Sequence, residues 1–199
     1  MMTAAKRTIQ RSDILPLDEY VKIRQENKQK LIPIKKDRRI SVGPHATFYF
    51  ESYDTMWTQI HEMLFIEKGG EAQIQDELSA YNPLIPKGSE LIATFMLEIE
   101  DPVQRDKILH QLGHIETQIY LGINGDKSYA VPEQDVERTT DDGKTSAIHF
   151  LHFPLNDAQK QAISISQCEV ILGIEHENYG HMARMSETTR ESLNTDLIF

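Results

Sequence analysis

One cysteine, Cys168, stands among 199 residues. A lone thiol forms no internal disulfide, which fits a reducing compartment, and it excludes iron–sulfur clusters and zinc sites held by several thiolates of this chain alone. Cys168 opens the strand-like run CEVILGI and reads as a small buried hydrophobe. No apolar run approaches the roughly 20 residues of a membrane-spanning helix. The opening MMTAAKRTIQRSDIL has no apolar centre and does not read as a secretion signal, so a cytoplasmic, membrane-free protein is expected. A Gly-rich phosphate loop, a G-x-S-x-G elbow and a dinucleotide fingerprint are also missing, and with them the chemistries those motifs serve. Positive charge is scarce. Lys and Arg number 21 against 31 Asp and Glu, a net charge of −10, which argues against a general nucleic-acid binder because phosphate affinity comes from clustered cations.

What basic charge there is lies unevenly. Lys22, Arg24, Lys28, Lys30, Lys35, Lys36, Arg38 and Arg39 are eight of the 21 basic residues. Two readings stay open: a solvated helix face with its linker, or a docking surface for an acidic partner or anionic ligand. Hydrophobic content of 39% and charged content of 26% are ordinary for a folded domain. The length suits one domain spanning 1–199, with a flexible tail over 1–11 and a helical arm over 12–33.

The arm is expected to be capped by Ser12 or Asp13 and stopped by Pro33, since proline lacks the N–H and clashes with the preceding turn. Residues 39–51, RISVGPHATFYFE, predict two short strands joined at Gly43-Pro44. In the second, Ala46, Phe48 and Phe50 share one face and His45, Thr47, Tyr49 and Glu51 the other. Asp54 is expected to cap the strongest helix, in which Tyr53, Met56, Trp57, Ile60, Met63 and Leu64 recur at three- and four-residue spacing and predict a core-facing stripe. Gly69-Gly70 breaks it, and another helix is expected over 71–81, then an ordered turn over 82–88. Alternation predicts strands after Glu90, over 115–123, over 128–131 following the Asn124-Gly125 hairpin signal, over 146–153 and over 168–175. Helices are predicted over 102–112, stopped by Gly113, from Asn156, and over 186–197 with Ser186 as cap. Residues 133–144 read as a polar loop. Such alternation is the habit of antiparallel sheet. The expected fold is α+β: a mostly antiparallel sheet packed on a long amphipathic helix around one apolar interior, with an N-terminal helical arm.

The eight histidines invite a metal reading. The pair His61-Glu62 begins like a zinc helix, but the second histidine such a helix needs four residues on is Phe65. His110 and His114 have four-residue spacing with Gly113 ending the helix between them. His149 and His152 fall on opposite strand faces. His176 and His181, with Glu175 and Glu177, lie in what reads as a surface loop. The most suggestive patch joins Arg39, His45 and Glu51 of the hairpin to Gln59 and Glu62 of the helix that follows. Cation, imidazole, amide and carboxylates converging there are expected either to bind a small anion or a divalent metal ion, with His45, Glu51 and Glu62 as metal ligands, or to form a satisfied polar network tying hairpin to helix.

Several stretches together are similar to an uncharacterised bacterial family, domain of unknown function 3501. They are residues 37–51 (DRRISVGPHATFYFE), 57–64 (WTQIHEML), 81–86 (YNPLIP), 113–116 (GHIE) and 146–153 (SAIHFLHF). The resemblance implies a full-length bacterial domain and brings no established activity. It implies a redox or oxidative-stress setting, beside rubrerythrin-like and iron–sulfur oxidoreductase proteins. His61 stands where the family more often has glutamine, and His152 where it more often has arginine, which weakens both as shared metal ligands. Arg39, His45, Glu51, Gln59, Glu62 and Asn82 fit the family pattern and become the candidate binding residues. The favoured expectation is a non-enzymatic binding or accessory protein docking on a redox or iron–sulfur protein. The alternatives are a metal-dependent enzyme and a ligand-free oligomeric module such as a homodimer.

Overall fold

Alternating apolar residues set the sheets. The computed structural model of the chain describes residues 6–133 and 137–199. Strands β1 (Arg39–Val42), β2 (Ala46–Phe50), β3 (Glu90–Leu97), β6 (Val131–Pro132) and β7 (Ile148–Pro154) form an antiparallel sheet in the order β1-β2-β3-β7-β6. Strands β4 (Ile119–Ile123), β5 (Asp126–Tyr129), β8 (Val170–His176) and β9 (Tyr179–Arg184) form a second, in the order β5-β4-β8-β9. The helices are α1 (Leu17–Asp37), α2 (Tyr53–Glu67), α3 (Gly70–Tyr81), α4 (Pro102–Gln111), α5 (Asp157–Ser164) and α6 (Glu187–Asn194). The α+β class and the antiparallel pairing expected from the sequence are both present. Among the described residues, no helix is long and apolar enough to cross a membrane.

There are two apolar interiors, not one. In the first, Val42, Phe48, Ala93, Phe95, Leu151 and Phe153 of the larger sheet meet Ile119, Leu121, Leu172 and Ile174 of the smaller, all at most 2% exposed. Phe48 and Phe95 stack at 4.8 Å, a contact worth about 0.5–1.5 kcal/mol beyond its area. In the second, Met56 and Ile60 of α2 and Ile74 and Leu78 of α3 pack with Ile92 of β3 on the opposite face of the larger sheet. That sheet is therefore covered on both sides. Strict alternation predicted one buried face because Thr94 and His152 interrupt the apolar pattern of the other.

Several boundaries differ from the expectation for identifiable reasons. Residues 6–11 do not hang free: Ile9 is 1% exposed, and Asn82 mimics a strand edge for it, accepting from its N–H at 2.8 Å and donating to its carbonyl at 3.0 Å. Neither Ser12 nor Asp13 caps α1, whose N-cap is Pro16, and Pro33 lies inside the helix. The helix runs past the proline to Asp37, and Arg38, the next residue, is anchored in the protein interior. Ser52, not Asp54, caps α2, by a reciprocal bond pair with Thr55. The left-handed residue after α4 is His114, φ 60°, and Ile115–Gln118 is a 3-10 turn that precedes β4. The stretch expected as a loop around His176 and His181 is the β8–β9 hairpin. Strand β9 is exposed at most positions, so it carried no alternation to read.

The two sheets are clamped by one hydroxyl. Tyr179 of β9 accepts from the N–H groups of His45 and Ala46, at 2.8 and 3.0 Å, and donates to the Val42 carbonyl at 2.8 Å, so it closes the β1–β2 turn from the other sheet. Replacing Tyr179 by Phe leaves those groups without their partner, and chemical denaturation is expected to show a loss of about 1–3 kcal/mol. An unchanged midpoint would mean that the turn holds its own shape.

Candidate functional site

The larger sheet's helix-covered face is not filled. Between β2, β3, β7 and the helices α1, α2 and α3 lies a cavity of about 400 Å³, within the size range of small-molecule sites. Its apolar walls come from Met56, Leu84, Met96 and Phe150, and its polar groups include Glu51, Gln59, Thr94 and Tyr81, with Lys35 and Arg38 at the α1 side. Each reaches it for a local reason. Thr94, Met96 and Phe150 are the outward residues of β3 and β7. Met56 and Gln59 are three apart on α2 and share a face.

Glu51 is the unusual group. It directly follows β2, is 8% exposed, and its two oxygens accept from the hydroxyls of Thr55 and Thr94, each at 2.6 Å. Among the described residues no cation pairs with its carboxylate. The nearest guanidinium, Arg38, donates to the Glu51 main-chain oxygen at 2.7 Å and to the Phe50 carbonyl at 2.9 Å. Its charge is matched instead by Asp196, with which it forms a buried ion pair. Burial pushes the Asp196 carboxyl above the usual range, and Arg38 opposes that shift.

Of the six residues singled out in the sequence, Glu51 and Gln59 line this cavity together, and the other four are elsewhere. Arg39 is exposed, 3.4 Å from Glu98 and over the Tyr49 ring; its neighbour Arg38 is the buried cation. His45 lies in the β1–β2 turn with its ring 6.4 Å from that of Tyr179. Glu62 faces α1, where it takes a two-pronged bond from Arg24 at 2.8 and 2.7 Å, a bond from Tyr20 at 2.8 Å and a contact from Lys28 at 3.1 Å. Asn82 holds Ile9. The expected metal set of His45, Glu51 and Glu62 is therefore not assembled, and among the described residues no three His, Cys, Asp or Glu side chains gather as a metal centre.

Two of the histidines weighed as metal ligands, His61 and His152, are structural. His61 is 2% exposed and sits between the Trp57 carbonyl at 2.7 Å and the Leu15 N–H at 3.1 Å, with burial lowering its pKa. His152 bridges Glu90 and Glu133, both at 2.9 Å, and Glu90 chiefly, with Glu133, raises its pKa. An imidazole whose charged form is favoured in this way can do the work of the arginine that the resemblance leads one to expect. Five of the eight cations of the 22–39 stretch pair with carboxylates: Arg24 and Lys28 with Glu62, Lys30 with Glu26, Arg38 with Asp196, Arg39 with Glu98.

A family model described as "Protein of unknown function (DUF3501)" matches residues 8–197. The crystal structure of a novel protein of unknown function from Burkholderia pseudomallei K96243 is similar at 39% identity and a TM-score of 0.89, over 96% of this chain and 100% of that one. No curated protein matches.

Glu62 gives the site's helix layer an acid limit. The Arg24 guanidinium, with help from Tyr20 and Lys28, brings its pKa down to about 2 from an ordinary 4.5. A carboxylate with a depressed folded pKa stabilises the fold above its unfolded pKa, and that contribution is lost as pH falls through the folded value. Melting curves between pH 5 and about 2 should therefore fall more steeply for the wild type than for Glu62→Gln. Parallel curves would show that the α1–α2 contact does not depend on that charge.

Proposed function

This chain belongs to the DUF3501 family, and we propose that it is a non-enzymatic binding protein whose ligand is a small molecule carrying an amine or similar cationic donor on an apolar body. The observation that carries this reading is Glu51, a buried carboxylate with hydroxyl partners and, among the described residues, no paired cation, although Lys35 and Arg38 lie on the same cavity wall. Burying a charge is costly unless something of opposite sign meets it. A ligand ammonium would do so, with the Gln59 amide beside it and Met56, Met96, Leu84 and Phe150 around the apolar part.

The competing expectations draw less support. A metal-dependent enzyme would need His45 and Glu62 at Glu51, but Glu62 is taken up by Tyr20 and Arg24 of α1 and His45 lies in the β1–β2 turn beside Tyr179. A ligand-free oligomeric module has no use for an unpaired carboxylate beside an open cavity. Docking on a redox or iron–sulfur partner through residues 22–39 is weakened by the internal pairing of most of its cations, and the redox or oxidative-stress setting rests on the family resemblance.

Calorimetric titration with butylamine, benzylamine and phenethylamine tests the reading. At least one is expected to bind the wild type, and Glu51→Gln, which keeps the shape and removes the charge, is expected to weaken it at least about tenfold, or about 1.4 kcal/mol. Absence of binding by all three, or equal binding by the variant, would overturn it.

A further inference from the structure

At the far end of β7, on the face toward the sandwich interior, His149 is 0% exposed and Glu116, from the 3-10 turn before β4, is 7% exposed. Glu116 Oε2 and His149 Nδ1 lie 3.7 Å apart, and both are buried without a hydrogen-bond partner. The other ring nitrogen decides what this means. His149 Nε2 is 2.9 Å from the Ser146 carbonyl, which can only accept, so Nε2 carries the proton and the neutral ring turns a bare lone pair toward the carboxylate oxygen. Two acceptors then face each other across a gap too long for a direct bond.

A lone-pair nitrogen whose far N–H is fixed by a carbonyl is the arrangement that orients histidine toward a metal. The gap fits as well. With metal–oxygen and metal–nitrogen bonds of about 2.1 Å, an ion joining atoms 3.7 Å apart subtends roughly 120°. Glu116 also lines a cavity of about 340 Å³ whose wall includes His114, Glu137 and Glu133, the last already bonded to His152, and it gives a cation a route to the Glu116 side of the pair. Arg138 lies on the same wall. Thr145 Oγ1, 3.2 Å from Nε2, and the Arg138 charge, which opposes a second proton on the ring, are its other polar neighbours. Neither Glu116 nor His149 lines the amine cavity.

We propose that Glu116 Oε2 and His149 Nδ1 form a binding site for one divalent transition-metal cation of the zinc type, with solvent completing the coordination. The site is independent of Glu51 and of the ligand proposed there.

Untagged, chelator-treated full-length protein titrated with Zn²⁺ against a chromophoric chelator is the test, with the visible spectrum of the Co²⁺ form as a second readout. The wild type is expected to take up one equivalent and to melt higher with zinc. Glu116→Gln should lose at least tenfold in affinity and the nitrogen-ligand signature in the Co²⁺ spectrum. It should also melt higher than the wild type without metal, because its amide N–H can donate to Nδ1; that opposite sign separates loss of a ligand from failure to fold. His110→Asn is the control, since His110 stands at the surface beside Asp106 and Asp142 and should leave uptake unchanged. No uptake by the wild type, uptake retained in Glu116→Gln, or uptake lost in His110→Asn would each overturn the proposal.

Discussion

The rest of the structure depends on where one guanidinium can put its five N–H groups. Arg38 follows α1 directly and is 3% exposed. It reaches the main-chain oxygens of Phe50 and Glu51 at the end of β2, the Ser192 carbonyl in α6 and the Asp196 carboxylate beyond it. Three parts of the chain far apart in sequence are thereby fixed to one another. The planar fork suits this task as an ammonium would not, because it serves several acceptors at set angles. A buried charge of this kind is tolerated only with its partner in place, and removing one side of such a pair costs about 3–5 kcal/mol. Arg7 adds to the same junction, bonding the carbonyls of Pro86 and Asp196.

The cavity follows from that junction. Arg38 takes the main-chain oxygens at the end of β2 and is neutralised by Asp196, so it has no charge to offer the Glu51 side chain, which turns to the hydroxyls of Thr55 and Thr94. Ser52, next in sequence, starts α2 and aims it along the sheet, with Gln59 over the cavity. The sheet, packed on both faces, is a rigid floor. The helix layer is held mainly by its own apolar cluster and by Glu62 against α1, so the cavity lies between a stiff wall and a separately anchored one.

Much of the fold was legible because burial writes a period into the chain. The 39–51 hairpin, α2 and α3, β3 and the Asn124-Gly125 turn all carry that signal, and all form. The number of layers was not legible. Thr94 and His152 make the outer face of the larger sheet look solvated, whereas Thr94 serves Glu51 and His152 sits between two carboxylates. The buried cation of this region was misassigned by a single residue: it is Arg38, paired with Asp196, and not Arg39. Arg38 and Arg39 are chemically alike at a helix–strand boundary, and only the handedness of the chain's entry into β1 decides which one turns inward. Glu62 read as a site residue because polar side chains on a helix edge look alike whether they face a ligand or another helix. The partner that claims it, Arg24, lies 38 residues earlier. Asp196, near the end of a helix-like stretch, carried no mark at all.

The account stands most directly on a double-mutant cycle in urea with Arg38→Met, Asp196→Asn and the pair. If the buried ion pair organises the junction, each single change is strongly destabilising, and the double variant is less damaged than their sum by a coupling well above about 0.5 kcal/mol. Single effects that simply add would show that Arg38 and Asp196 act independently, and the junction would then not be what sets Glu51 at its cavity.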